Sequence, residues 1–270
     1  MHVQGKVAVI TGAAQGIGRR VAEMLVDKGA FVVIGDVKPA GAQVASELNK
    51  AASDRSSGSS SPAAVFQPCD VRQSSDLSAL IATALSTFGR LDILVNNAGV
   101  SGSFLWADAD DTEVSRAIDV NLKAPIEGTR QAVRHFLQHG VAGCVVNVAS
   151  MAAFAPLEFG PAYAASKAGL VAFNASCATL ALREPGIRVN AVAPTFVDTD
   201  LTSQGVPEDI RAILQGAGES TVDTVALQVL RCIEDEQLAG DTIRIRSEEC
   251  ITLHDGPKAR PFGFVTAFKI

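Results

Sequence analysis

The sequence predicts an α/β fold in which one parallel sheet is covered by helices on both faces. Two observations carry that reading. Short, continuously apolar runs alternate with longer helical patterns, and strands that are apolar on both sides belong to a buried parallel sheet. A glycine-rich turn at 11–18 joins the first apolar run to the first helical pattern. Taken in order, Val7-Ala8-Val9-Ile10 predicts a strand and residues 16–28 a helix. Phe31-Val32-Val33-Ile34 predicts the second strand, with a helix through Leu48, and Ala64-Val65-Phe66 opens the third, with a helix over 74–88. Ile93-Leu94-Val95 is the fourth, followed by a long helical region over 112–139, and Cys144-Val145-Val146-Asn147-Val148 the fifth, followed by an Ala-rich helix over 163–182. Residues 187–192 predict a sixth strand, 222–234 a helix and 242–246 a last strand. The alternation runs unbroken, so one domain over 1–270 is expected.

Two stretches fall outside this pattern. Residues 53–62 are Ser-rich and too poor in apolar side chains to order themselves. The tail, 248–270, carries Pro257, Pro261, Phe262, Phe264, Val265 and Phe268, and is expected to pack on its own domain or to cap a neighbouring subunit.

Composition narrows the function classes. An apolar share of 47% is far above that of a disordered chain. A net charge of −6 argues against binding nucleic acid or an anionic membrane, both of which call for clustered Lys and Arg. The first residues run straight into a strand, and the longest charge-free stretch, 141–157, is shorter than the roughly 20 residues of a membrane span. No leader or span is therefore expected, and the cytoplasm is the expected location. Cys69, Cys144, Cys177, Cys232 and Cys250 are odd in number, far apart and without CxxC spacing, which suits free thiols and offers no metal site.

Gly12, Gly16 and Gly18 lie in the turn Thr11-Gly12-Ala13-Ala14-Gln15-Gly16-Ile17-Gly18. Such a turn lets backbone approach a pyrophosphate, and the helix N-terminus offers it free N–H groups and a positive dipole end. The second strand ends at Asp36, eighteen residues past Gly18, where a carboxylate can accept hydrogen bonds from an adenosine ribose. A 2′-phosphate there would meet like charge, so NAD is expected over NADP, with Lys38 and Arg19 the nearby cations.

Tyr163 and Lys167 are four apart at the start of a helical pattern and share a face. A phenol, with a pKa of about 10, is a poor base at neutral pH, and a neighbouring ammonium is expected to lower it. The pair can then move a proton to or from an alcohol oxygen. Ser150 ends the fifth strand, at the sheet edge where ligands bind in such folds, and Asn121 sits inside an otherwise helical stretch, where its side chain can hold a water or perturb the backbone.

The chain resembles the short-chain dehydrogenase/reductase family through the 11–18 turn, Asn96-Asn97-Ala98-Gly99, Ser150 and Tyr163-Ala164-Ala165-Ser166-Lys167, in order and at the family's spacing over nearly the whole length. The resemblance implies a Rossmann-type, doubly wound sheet of about seven parallel strands and a catalytic tetrad of Asn121, Ser150, Tyr163 and Lys167. Tyr163 would be the general acid/base, Ser150 would orient the substrate oxygen, Lys167 would bind the nicotinamide ribose and Asn121 would support a relay water. Cofactor contacts carried over to this sequence are Gly12, Gln15, Gly16, Ile17, Gly18, Asp36, Asp70, Val71, Asn97, Ala98, Gly99, Tyr163, Lys167, Pro194, Val197 and Thr199. A homodimer or homotetramer through the helices over 112–139 and 163–182 is also implied. The sequence departs from the family at Pro194-Thr195, where a glycine commonly follows the proline, and at Arg246-Ser247-Glu248-Glu249-Cys250. Its C-terminal part is similar to the NAD-linked 15-hydroxyprostaglandin dehydrogenase type.

The substrate pocket is expected among Ser150, Met151, Leu157 to Phe159, and Phe196 and Leu201 of the loop after Pro194, with a substrate loop or lid over 194–218 and a further wall at 101–106. These residues are mostly apolar, with Glu158 the one charge. The expected activity is NAD(H)-dependent interconversion of a hydrophobic secondary alcohol and its ketone. The alternatives are an NADPH-dependent ketoreductase, or a non-redox dinucleotide-binding protein on the same fold.

Overall fold

The computed structural model describes residues 1–55, 62–106, 112–155, 157–216 and 218–254. Among the described residues eight strands form one sheet: β1 Val7–Thr11, β2 Phe31–Asp36, β3 Ala64–Pro68, β4 Ile93–Asn96, β5 Cys144–Val148, β6 Arg188–Pro194, β7 Thr242–Ile245 and β8 Ile251–His254. Their order is β3-β2-β1-β4-β5-β6-β7-β8, parallel throughout except for the antiparallel β7–β8 pair. The seven parallel strands are thus joined by an eighth, built from the start of the tail, which packs on its own sheet. Residues 255–270 of the tail and 56–61 of the Ser-rich stretch lie outside the described residues.

Among the described residues nine helices accompany the strands: α1 Gly16–Asp27, α2 Ala40–Arg55, α3 Ser74–Phe88, α4 Glu113–Ile118, α5 Ala124–His139, α6 Pro161–Ser176, α7 Asp200–Gly205, α8 Glu208–Gly216 and α9 Val222–Glu234. α1, α2 and α9 bury Leu25, Val44 and Val229 against one sheet face. α3 and α5 bury Leu80 and Phe136 against the other. Each such side chain contributes roughly 1.5–3 kcal/mol by leaving water.

Several boundaries differ from those the sequence predicts. α2 runs seven residues past Leu48 and takes in Ser53. The helix expected over 112–139 is interrupted by a π-helical turn, Asp119–Lys123, centred on Asn121. The helix expected over 163–182 stops at Ser176 and tightens into a 3-10 stretch, Ala178–Leu182. That combined run, Pro161–Leu182, is long and apolar enough to cross a membrane. Counting only charge-free stretches missed it, because it contains Lys167. Its buried residues Ser166, Lys167, Leu170 and Asn174 face its own fold.

Strand order reverses between β1 and β4, whose successors lie on opposite sides of the sheet. The carboxyl ends of the strands at such a switch point leave a crevice, which is where ligands bind in open α/β sheets.

Candidate active site

A cleft of about 480 Å³ opens at that switch point. Its floor is the turn after β1. Gly12 there has φ +65°, and a Cβ on it would come within 2.7 Å of the Ala98 Cα. Only glycine lets the two turns approach so closely. Asn97 stitches the same turns together, donating through Nδ2 to the Thr11 and Gly12 carbonyls at 3.0 and 2.8 Å. The Thr11 hydroxyl accepts from the Asn97 and Ala98 N–H groups, both at 3.1 Å. α1 then begins with no side-chain cap at Gln15, leaving its first N–H groups to a ligand.

Asp36 is buried at the end of β2. One carboxylate oxygen accepts from the Ala14 N–H at 2.9 Å and the other from the Lys38 N–H at 2.9 Å. Each oxygen keeps a lone pair free. Asp70 and Val71 line the same end. The Asp70 carboxylate is gripped by the Arg72 guanidinium, which holds it below the usual carboxylate range.

At the other end, Ser150 caps the short 3-10 turn after β5, accepting from the Ala152 N–H at 3.2 Å. The Ser150 side chain also acts on the Tyr163 phenol, in the direction that favours phenolate. Lys167 lies one turn along α6, with its Nζ 5.7 Å from the centroid of the Tyr163 ring. That ammonium donates to the Val148 carbonyl at 2.8 Å, and burial lowers its pKa to about 8. The phenol differs from expectation: burial raises the Tyr163 pKa, the Ser150 side chain acts in the opposite direction, and the net shift is upward. Desolvation disfavours phenolate more than the neighbouring groups favour it.

The Asn121 side chain takes a different part. Its Oδ1 accepts from the Val100 N–H at 2.9 Å and its Nδ2 donates to the Val100 carbonyl at 3.1 Å. The amide therefore clamps the strand-end loop as a paired strand would, and the π-helical turn brings it there.

The arrangement can cradle a phosphate chain on backbone, hold a ribose at Asp36 and present a buried hydroxyl, phenol and ammonium to a reacting oxygen. Comparison with known proteins agrees. The model of the short chain dehydrogenase family matches residues 6–209.

The chain belongs to this family.

Its relatives include the short chain dehydrogenase helC of Aspergillus fumigatus, 34% identical over 92% of this chain and 98% of that one. Human 15-hydroxyprostaglandin dehydrogenase [NAD(+)] is 33% identical over 94% and 96%. Among solved structures, the 3-ketoacyl-(acyl-carrier-protein) reductase of Brucella melitensis complexed with NADH superposes with a TM-score of 0.77 at 30% identity, over 90% of this chain and 97% of that one. As a short-chain dehydrogenase/reductase, this protein is an alcohol dehydrogenase/reductase that uses a nicotinamide dinucleotide.

The residues present fit that cofactor. Gly12, Gln15, Gly16 and Ile17 line the cleft, as do Asp36, Asp70 and Val71. So do Asn97, Ala98 and Gly99, then Ser150, Tyr163 and Lys167, and finally Pro194, Val197 and Thr199. Gly18 does not line it. A Cβ there would strike the Asn97 amide and the Gly12 carbonyl, so this glycine serves packing between α1 and the turn.

The substrate residues are placed differently. Met151 is half-buried in the 3-10 turn, Phe159 packs edge-on against Phe104 with centroids 5.3 Å apart, and Phe196 is buried. None of the three is among the residues lining the cleft, and Glu158 is exposed outside it. Of the expected pocket residues, Ser150 and Leu201 line it, together with Val100 and Thr195.

Sequence reasoning marked Thr195 only as a departure, without the bond it makes, and missed Gly102. Thr195, where the family commonly has glycine, donates through its hydroxyl to the Gly218 carbonyl at 3.0 Å. With the Ser220 N–H donating to the Phe196 carbonyl at 2.9 Å, it closes the base of the loop over 194–218. Gly102 touches the Gly160 backbone and the Tyr163 Cβ so closely that no side chain fits. The only sequence signal was its place in the 101–106 wall.

Proposed function

We propose that this protein is an NAD(H)-dependent oxidoreductase that interconverts a mainly hydrophobic secondary alcohol and its ketone. One observation carries the reading: a single cleft is lined by Asp36 at one end and by Ser150 and Tyr163 at the other. A bound nicotinamide would supply the hydride acceptor or donor. Tyr163, after losing its own proton, would take the hydroxyl proton as phenolate in oxidation, and as the neutral phenol would give its proton to the ketone oxygen in reduction. Ser150 would hydrogen-bond the same oxygen and fix its position. Lys167, buried beside the ring, would favour phenolate when charged, and Asn121 would hold the Val100 loop against it.

Preference for NAD over NADP rests on Asp36, which would repel a 2′-phosphate at close range. The NAD(+)-named dehydrogenase relatives and the NADH-bound neighbour support it. The hydrophobic substrate class rests on Val100 and Leu201 in the cleft. It is also supported by the aromatic stack of Phe104 with Trp106, centroids 4.9 Å apart, in the segment just after Val100. The free state of all five cysteines supports a reducing, cytoplasmic setting. The exposed small residues Ala165, Ala168, Ala172 and Ser176 along α6 support a homodimer or homotetramer packed through that helix.

The test is a panel of lipid, steroid, terpenoid and sugar alcohols with NAD+, read as NADH absorbance. Turnover of the apolar members is expected; preference for the sugar alcohols would refute the substrate class.

A further inference from the structure

Lys38 is the basic group closest in sequence to the ribose carboxylate. Its own N–H donates to an Asp36 oxygen at 2.9 Å, so it belongs to the turn that ends β2. Its side chain leaves that turn. The ammonium donates to Gln15 Oε1 at 2.5 Å and lies 3.5 Å from Asp200 Oδ2. Gln15 is the uncapped entry to α1. Asp200 is the first residue of α7, on the loop that follows β6. Lys38 and Gln15 line the cleft, and so do Thr199 and Leu201 on either side of Asp200.

The other cations at this end are already held by carboxylates. Arg19 pairs with Glu23 and Glu47, both at 2.9 Å. Arg72 is clamped on Asp70 at 2.7 Å. Lys38 is the one whose carboxylate partner comes from the 194–218 loop. A lysine ammonium is a compact charge on a flexible stem and could turn to a phosphate placed beside Asp36.

We infer that Asp200 is a cofactor-discriminating residue: its carboxylate holds the Lys38 ammonium away from the ribose end of the cleft, so that a 2′-phosphate meets Asp36 with no cation to offset it. This rests on the NAD preference proposed above and names a second carboxylate behind it. Asp36 repels the phosphate directly. Asp200 acts through Lys38, by occupying the group that would otherwise answer it.

The test is calorimetric titration of NAD+ and NADP+ into four forms of the protein: wild type, Asp200→Asn, Lys38→Met and the double variant. No substrate is needed. Asp200→Asn keeps the shape of the first α7 residue while removing its charge. It is expected to tighten NADP+ relative to NAD+ by about fivefold, the scale of one exposed ion pair, and the gain should shrink at high ionic strength. Lys38→Met should abolish the gain in the double variant. An unchanged ratio in Asp200→Asn would overturn the inference. So would the same gain in the Lys38→Met background, because the charge would then act without Lys38. Failure of the parent reading is seen separately, as a wild-type ratio near one, while the coupling between positions 38 and 200 is still read from the four-form cycle.

Discussion

At the level of single residues, the site depends on groups that burial has shifted. Tyr163 is pushed upward, so the neutral phenol is its resting form. Tyr163→Phe removes the transferable proton while keeping the ring. It is expected to lower turnover by about a thousandfold, within the range of a lost general acid/base, and to leave dinucleotide affinity within about twofold. Steady-state kinetics beside a binding titration checks both. Lys167 gives a pH prediction. Its pKa is about 8 in the fold against an ordinary 10.5. A lysine whose folded pKa is depressed costs stability while it is charged in the fold, and that cost is full below about pH 8. As pH rises from there toward 10.5, the folded site loses its proton before the unfolded chain does, and the cost is relieved. Thermal melts of wild type and Lys167→Met across this window should show wild type gaining stability relative to the variant, by on the order of 3 kcal/mol in total. A flat or falling difference would contradict the shift. The identities of these residues were legible in the sequence because spacing places Tyr163 and Lys167 on one helix face. The direction of the tyrosine shift was not, because it depends on burial contributed by segments far apart in the chain.

At the level of elements, placement is set by close approaches and caps that hydrophobic periodicity does not encode. Gly102 rests against the start of α6. A Cβ on it would lie 2.5 Å from the Gly160 Cα and 2.9 Å from the Tyr163 Cβ. Gly102→Ala must therefore move the loop or the tyrosine. Loss of about a hundredfold in kcat with a nearly unchanged melting temperature is expected, because small displacements of a positioned group carry costs of that size. A drop in stability with normal kcat would show that the loop yields instead. Arg188 does comparable work for the fold. It is buried at the start of β6, and its guanidinium donates to the carbonyls of Cys232, Asp235 and Leu238 at 2.8, 2.9 and 3.3 Å and to that of Ile233 at 2.5 Å. It thereby satisfies the carbonyls at the C-terminal end of α9. Arg188→Met removes these donors, leaving the Asn190 amide on the Leu238 and Cys232 carbonyls and the Met1 ammonium on that of Ile233, and should cost about 1–3 kcal/mol, measured as a shifted denaturant midpoint at constant slope. The apolar strands and α9 could be read directly from the sequence. The π-helical turn at Asn121 could not, since its cause is the Val100 backbone across the cleft. Nor could the seats of Phe159 and Phe196, where an apolar side chain is equally compatible with core packing and with a pocket wall.

At the level of the whole molecule, one sheet carries the glycine-rich turn after β1 and the proposed catalytic groups after β5, which explains why residues more than a hundred positions apart line one cleft. The same sheet leaves α6 exposed on one side. Within the run Pro161–Leu182, only 28% of the most apolar window is buried. The exposed positions Ala165, Ala168, Ala172 and Ser176 fall three or four apart, so they form one narrow stripe of small side chains. A helix presenting such a stripe lets another backbone approach closely, and a second copy of α6 would match it by symmetry. Lys167 is buried on another face of α6, so the proposed contact would also brace the helix that bears the proposed catalytic pair. Ala172→Glu places a charge on the stripe two turns from Tyr163 and away from the cleft. In light scattering coupled to size-exclusion chromatography, wild type is expected as a dimer or tetramer and Ala172→Glu as a smaller species. If the wild type runs as a monomer, or if the variant keeps the wild-type mass, the stripe is not the contact. If the wild type instead partitions with lipid vesicles and Ala172→Glu releases it, the apolar run serves a membrane surface and the oligomer proposal falls.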